Sequence, residues 1–149
     1  MASNSETVEG LTKVLADSYA AYMKTHGYHW NVRGPNFSSY HALFMSQYTE
    51  MWTALDEIAE RIRALGALAP QGYATFANLT SIKDGDPEQP AEGMIRELMR
   101  DHETVASTAR KVLKQAEEAG DDVTVDLLTQ RLAAHEKHAW MLRATLGEK

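Results

Sequence analysis

The residues with the greatest chemical potential lie between His29 and Glu60. They form the run H-W-N-V-R-G-P-N-F-S-S-Y-H, then, after fourteen residues, D-E-I-A-E. Two histidines flank a Gly-Pro turn, and two carboxylates, Asp56 and Glu60, stand four residues apart. Imidazole nitrogens and carboxylate oxygens suit iron, manganese or zinc rather than soft metals. On a helix, Asp56 and Glu60 share a face and can point at one ion. Taken alone, such a pair is more often a solvated helical charge pair, and Glu57 and Arg61 beside it fit that reading. His26, His29 and His41, each taken singly, read equally well as partly buried, hydrogen-bonded side chains.

Relative position says more. His29 lies six residues before Pro35 and His41 six after it. In an antiparallel hairpin centred on that turn the two imidazoles stand at the same height. Asp56 is fifteen residues beyond His41, which on one helix is ~22 Å. Metal–ligand bonds for these groups are ~2 Å, so one chain cannot bring all four residues to one ion. Either the pairs are unrelated, or the site is built between chains. Two copies of the second helix crossing antiparallel about a two-fold axis would bring His29 and His41 of one subunit to Asp56 and Glu60 of the other, twice per dimer.

The elements that must position these residues are helical. From about Glu6 to Val32, Val8, Leu11, Leu15, Ser18/Tyr19, Tyr22, His26 and His29 recur at helical spacing. Gly34-Pro35-Asn36 stops this helix. Ser38 or Ser39 can cap a second one, running to about Leu65 before Gly66. The helical pattern then lapses from Gly66 to Pro90, apart from a short candidate helix at Tyr73–Leu79. Pro90 suits the first turn of a third long helix reaching about Ala119. Asp121 or Asp122 caps a fourth, in which Leu128, Leu132, His135, Ala139, Leu142 and Leu146 mark one face. Four long helices, two tight turns and one long crossover predict an all-α, ferritin-like four-helix bundle with a short extra helix in the crossover. The chain reads as one domain, 1–149, with a short N-terminal tail at 1–5.

A second place for metal is the bundle interior, where ferritin-type sites use carboxylates and Glu-x-x-His pairs. The third long helix offers Asp101-His102-Glu103 and the fourth His135-Glu136-Lys137-His138. Neither contains Glu-x-x-His, and Lys137 adds a positive charge. The pattern therefore places His102 and His138 at the surface.

Composition narrows the function classes. The absence of cysteine excludes disulfides, thiolate metal sites and cysteine nucleophiles. No apolar run approaches the ~20 residues of a membrane span, and the first residues lack the pattern of a signal peptide. The cytoplasm is the simplest compartment. A net charge of −6 without a basic arm at either end argues against a simple nucleic-acid module.

The runs K-T-H-G-Y-H-W-N-V-R-G-P-N-F (24–37), Y-H-A-L-F (40–44), D-E-I-A-E-R-I-R-A-L-G (56–66) and H-E-K-H-A-W (135–140) resemble the Dps family, the ferritin-like mini-ferritins of bacteria and archaea. The likeness extends over nearly the whole chain. It implies a hollow dodecamer whose ferroxidase sites lie at two-fold interfaces, with His29 and His41 as ligands from one subunit and Asp56 and Glu60 from its partner. It implies that Fe(II) is oxidised, preferably by hydrogen peroxide, and stored as ferric mineral, protecting against oxidative stress. Zinc or manganese is accommodated by the same donors. Trp30 matches a tryptophan beside the family's centre, where it can quench stray oxidising equivalents. Asp122 and Asp126, in E-E-A-G-D-D-V-T-V-D (117–126), match the stretch lining three-fold ion-entry pores. One position departs: the family usually has Asp or Glu four residues after the second histidine, and here it is Met45, whose thioether is a poor iron ligand. That departure keeps open a metal-binding shell without efficient turnover. A DNA-compacting shell is a further alternative, disfavoured because twelve subunits at −6 each carry −72, which repels phosphates. Nucleoid association is accordingly not favoured.

Overall fold

The computed structural model describes residues 4–149. Its elements are α1 (Asn4–Asn31), α2 (Phe37–Ala64), α3 (Tyr73–Leu79), α4 (Ala91–Glu118) and α5 (Asp122–Thr145). Among the described residues there is no strand. The fold class expected from the periodicity is the fold class found.

α1 and α2 pack as one antiparallel hairpin and α4 and α5 as another, with α1 against α4 and α2 against α5. Contacts such as Tyr28–Glu97 and Thr108–Asp17 run in opposite directions along α1 and α4, so those helices are antiparallel. The crossover must therefore return the chain along the full bundle, which makes α2 and α4 parallel. Buried Phe44, Gln47, Met51, Leu55, Ile58 and Ile62 recur at spacings of three and four along α2, the stripe that a helix presents to a core.

Helix ends follow local chemistry. Gly66 and Gly120 have φ of 97° and 71°, the left-handed conformation that costs glycine little. Each closes a Schellman turn: Ala67 N–H donates to the Ile62 carbonyl at 3.3 Å and Asp121 N–H to that of Ala116 at 2.9 Å. Asp121 caps α5, its carboxylate accepting from Thr124 N–H at 3.1 Å. Two expected boundaries shift. α1 already includes Asn4 and Ser5, so the expected tail at 1–5 is helical from Asn4 on; residues 1–3 lie outside the described residues. α2 begins at Phe37, so Ser38 and Ser39 lie inside its first turn, while Asn36 at the cap position makes no side-chain capping bond.

The crossover is fastened by one buried carboxylate. Asp17 on α1 accepts from Thr80 Oγ1 at 2.7 Å, Ser81 N–H at 2.8 Å and Thr108 Oγ1 at 2.8 Å. These bonds tie the segment after α3 to α1 and α4 together. Phe76 of α3 adds a stacked contact on Tyr19, centroids 5.0 Å apart.

The core is divided. One apolar cluster gathers Leu11, Leu15, Ile58, Ile62, Val112 and Leu128, and another Tyr28, Phe44, Met94, Ile95, Leu98 and Leu142. Between these groups the buried side chains include Gln47, His102, Arg131, His135 and His138.

Candidate metal centre

His29 near the end of α1 and His41 in the second turn of α2 face each other across the Gly34 turn, where Phe37 N–H donates to the Gly34 carbonyl at 3.1 Å. Their rings stack, centroids 3.7 Å apart and planes within 14°. His29 Nδ1 lies 2.7 Å from the His41 carbonyl, and His41 Nδ1 lies 2.7 Å from the His29 carbonyl. A carbonyl oxygen only accepts, so each Nδ1 carries the hydrogen. In the neutral rings both Nε2 lone pairs are then available to a metal, with tautomer and orientation fixed by the backbone. The His29 carbonyl sits in the last turn of α1, where helical acceptors lack helical donors. His41 supplies that missing donor. The same bond finishes the helix and sets the orientation of the imidazole.

Asp56 and Glu60 are exposed on α2. Because α2 is one continuous helix from Phe37 to Ala64, they stand ~22 Å or more from His41. The structure thus brings His29 and His41 together and leaves Asp56 and Glu60 apart from them. Among the described residues no group of three or more His, Asp or Glu in one chain is placed to hold a metal. Between the two pairs, α2 carries Met45 and Trp52, 51% and 57% exposed, and the half-buried Tyr48. With Phe37, His41 and Asp56 they form one outward stripe at spacings of four and three. Tyr48 sets its ring edge on His29, centroids 5.1 Å apart.

Trp30 is 64% exposed and packs on His26, centroids 4.1 Å apart. Burial, and then the charge of His29, lowers the His26 pKa. At the far end of the bundle, Asp122 and Asp126 are exposed one turn apart on α5. Asp121 is instead used internally: Arg61 Nη2 donates to it at 2.8 Å. Thr124 and Arg61 hold its carboxyl below the usual range although burial opposes them.

The surface role expected for His102 and His138 is incorrect. They are 1% and 7% exposed. His138 Nε2–H donates to Glu50 at 2.8 Å, the Arg131 guanidinium grips the same carboxylate through two nitrogens, and His102 Nδ1 lies 2.9 Å from His135 Nδ1. Burial pushes Glu50 up, but the hydrogen bonds and charges of His138 and Arg131 outweigh it and hold its pKa at about 2. Burial, then the charge of Arg131, takes His135 down to about 3, and burial takes His102 well below the ordinary value. The available signal was spacing. Arg131, His135 and His138 follow Leu128 at intervals of three and four, which puts them on the face that Leu142 shares. Glu50 gave no such sign, since its partners are more than eighty residues away.

A bundle of this connectivity, with an imidazole pair at the α1–α2 turn, defines a ferritin-like protein, and a family model described as "Ferritin-like domain" matches residues 8–149. The chain is 38% identical over 145 residues to "DNA protection during starvation protein 2" of Bacillus anthracis, covering 97% of this chain and 99% of that one. It superposes with a TM-score of 0.92 and 31% identity on the Dps protein of Vibrio cholerae, described as a member of a superfamily of ferritin-like diiron-carboxylate proteins, with 96% and 90% of the chains covered. Dps from Listeria innocua, in a crystal soaked with zinc, matches at 0.90 and 30% identity, covering 95% and 97%. The protein belongs to the Dps family. No helix among the described residues is long and apolar enough to cross a membrane.

Proposed function

We propose that this protein is an iron-storage and detoxification ferroxidase whose centres are completed between subunits of a dodecameric shell. The observation that carries this reading is the outward stripe of α2. Imidazoles lie at one end, carboxylates at the other, and exposed Met45 and Trp52 lie between. A second α2 laid antiparallel on that stripe covers the apolar residues and sets His29 and His41 against the partner's Asp56 and Glu60. An isologous contact makes the arrangement twice. Family membership supports the assembly and the substrate.

In this mechanism Fe(II) is substrate. Exposed Asp122 and Asp126, repeated around a symmetry axis, focus a negative potential that draws cations inward. The Nε2 lone pairs of His29 and His41 bind the ion, and Asp56 and Glu60 supply the negative charge that favours Fe(III) over Fe(II). Two Fe(II) each give one electron to hydrogen peroxide. Its O–O bond breaks, and the two hydroxides formed enter the ferric product, which is stored in the shell. Met45 stands where a further carboxylate would bind a second ion, so the centre holds one iron firmly and the second Fe(II) weakly, completed by water or by Glu60, with zinc or manganese as competitors. Exposed Trp30 lies within reach to take up stray oxidising equivalents.

Stopped-flow absorbance of ferric product, after Fe(II) and peroxide are added to the metal-free protein, tests the reading. Native protein turns over, and His29→Ala or Asp56→Ala slows it sharply. Unchanged rates in both variants would refute the site. At −6 per chain, the shell leaves DNA unshifted in a gel at neutral pH and physiological salt.

A further inference from the structure

On the outward stripe of α2, Met45 alone carries sulfur. It follows His41 by one helical turn, which places the two Cβ atoms ~5–6 Å apart. The His41 ring is held through Nδ1 by the His29 carbonyl, and the two imidazoles are stacked. The thioether ends an unbranched side chain with three rotatable bonds, so its sulfur can swing beside the imidazole pair. Two other groups of methionines serve as internal references. Met51 and Met94 are fully buried, whereas Met23 is 48% exposed against 51% for Met45. Met23 lies instead in the cavity between α1 and the crossover, with Tyr73 and Ile82. Exposure alone therefore does not separate Met45 from Met23; proximity to His41 does.

A thioether is too soft to hold Fe(II) or Fe(III) well, but it is readily oxidised to the sulfoxide. With hydrogen peroxide the reaction balances without a further reactant. The sulfur lone pair attacks one peroxide oxygen and the O–O bond breaks. That oxygen stays on sulfur, and the other leaves as water with both protons. Sulfur gives up two electrons and peroxide takes them. The product is polar where the thioether was apolar, and its oxygen is a hard donor of the kind that suits iron better than sulfur does.

We propose that Met45 is a modification site: peroxide arriving at iron on the His29–His41 pair oxidises it to the sulfoxide, whose oxygen then holds the second Fe(II) that the thioether holds poorly. The inference rests on the inter-subunit ferroxidase reading and deepens it. A partner helix laid over the stripe does not shield this sulfur from its reagent, because the peroxide comes by way of the centre itself. Since methionine sulfoxide is reduced back enzymatically, the iron capacity of the centre follows recent exposure to oxidant.

Peptide mass spectrometry, reading the gain of one oxygen atom at each methionine, tests the modification. Metal-free protein receives Fe(II) in small aliquots, each followed by hydrogen peroxide. Met45 converts at least about ten-fold faster than Met23, a small factor for a sulfur held beside the reacting peroxide. In the double variant His29→Ala, His41→Ala the two convert at equal rates. Equal rates in the native protein overturn the proposal, as does a preference that survives the double substitution. Ferric absorbance in the same samples keeps the two readings apart. Ferric product without a Met45 preference leaves the ferroxidase standing and removes the modification; a preference without product does the reverse. Anaerobic Fe(II) binding then tests the ligand. Protein carrying the sulfoxide, stripped of metal, binds more Fe(II) per subunit than unoxidised protein, and Met45→Leu treated identically shows no gain. No gain in the oxidised native protein, or an equal gain in Met45→Leu, overturns it.

Discussion

The protein holds two histidine clusters that treat the imidazole in opposite ways. At the α1–α2 turn, His29 and His41 give each Nδ1 to a backbone carbonyl of the other's helix and keep Nε2 free. Among the described residues no charged side chain hydrogen-bonds to either ring. In the interior, His102 bonds to His135, His135 to Arg131 and His138 to Glu50, and the carboxylate there is already neutralised. Backbone bonds cost a ligand nothing in charge, whereas a guanidinium removes the reason for a cation to enter. Donor type alone therefore does not make a metal centre. What the second shell leaves unsatisfied decides it.

The largest effect that could break this contrast is on catalysis. His29→Ala should lower the initial rate of peroxide-driven Fe(II) oxidation by at least about a hundred-fold, more than the loss of an outer-shell partner usually costs. His102→Ala should leave the rate near native. Equal losses in stopped-flow assays of the two variants would erase the distinction.

Next comes stability. Arg131→Gln leaves Glu50 without its guanidinium. Breaking a buried pair costs ~3–5 kcal/mol, and the partial exposure of Glu50 brings the expected loss to about 2–3 kcal/mol. Thermal unfolding of metal-free protein would show it as a lower midpoint. His41→Gln, at a half-buried position, should move the midpoint less.

The interior cluster also sets an acid limit. The folded-state pKa of His135, at about 3, lies below the ordinary histidine value. The folded state therefore resists taking up this proton. Its contribution to stability is complete above about pH 6.5, and falls by about 1.4 kcal/mol per pH unit below that, until the folded pKa is reached. His102, shifted the same way, adds to the slope. Glu50 has the same sign of linkage in a lower window: its stabilisation is present above the ordinary carboxylate pKa and is lost as pH falls toward about 2. Denaturation midpoints between pH 7 and 5 should drop in the native protein and drop less in His135→Gln. A parallel decline in both would assign the acid sensitivity elsewhere.

The smallest effect is at Met45. Its side chain is 51% exposed, so Met45→Asp should change stability by no more than about 0.5 kcal/mol. Metal analysis should nevertheless find more Fe per subunit, since a carboxylate now stands one turn from His41. Unchanged stoichiometry would show that position to be irrelevant to the centre.

The legibility of these features in the sequence follows from how local their causes are. Gly66, Gly120 and Asp121 end or begin helices through bonds within a few residues, so those boundaries could be read directly. The pairing of His29 with His41 was equally readable, because both are equidistant from Pro35. The start of α2 was misplaced because Ser38 and Ser39 look like caps while Asn36, which takes the cap position, makes no capping bond. His102 and His138 were misread because Glu103, Glu136 and Lys137 beside them are polar. Their burial depends on Glu50 and Arg131, which only the α2–α5 packing brings near. The proposed joining of two subunits at α2 rests on a distance no single helix can close.

That distance has a genetic reading. If each protomer gives imidazoles to one centre and carboxylates to the other, the two halves of a subunit's chemistry are separable. A chain without His29 and a chain without Asp56 would each be inactive in pure shells. Coassembled, a mixed pair would unite the intact imidazoles of one with the intact carboxylates of the other, restoring one of its two centres. Two null alleles would then complement.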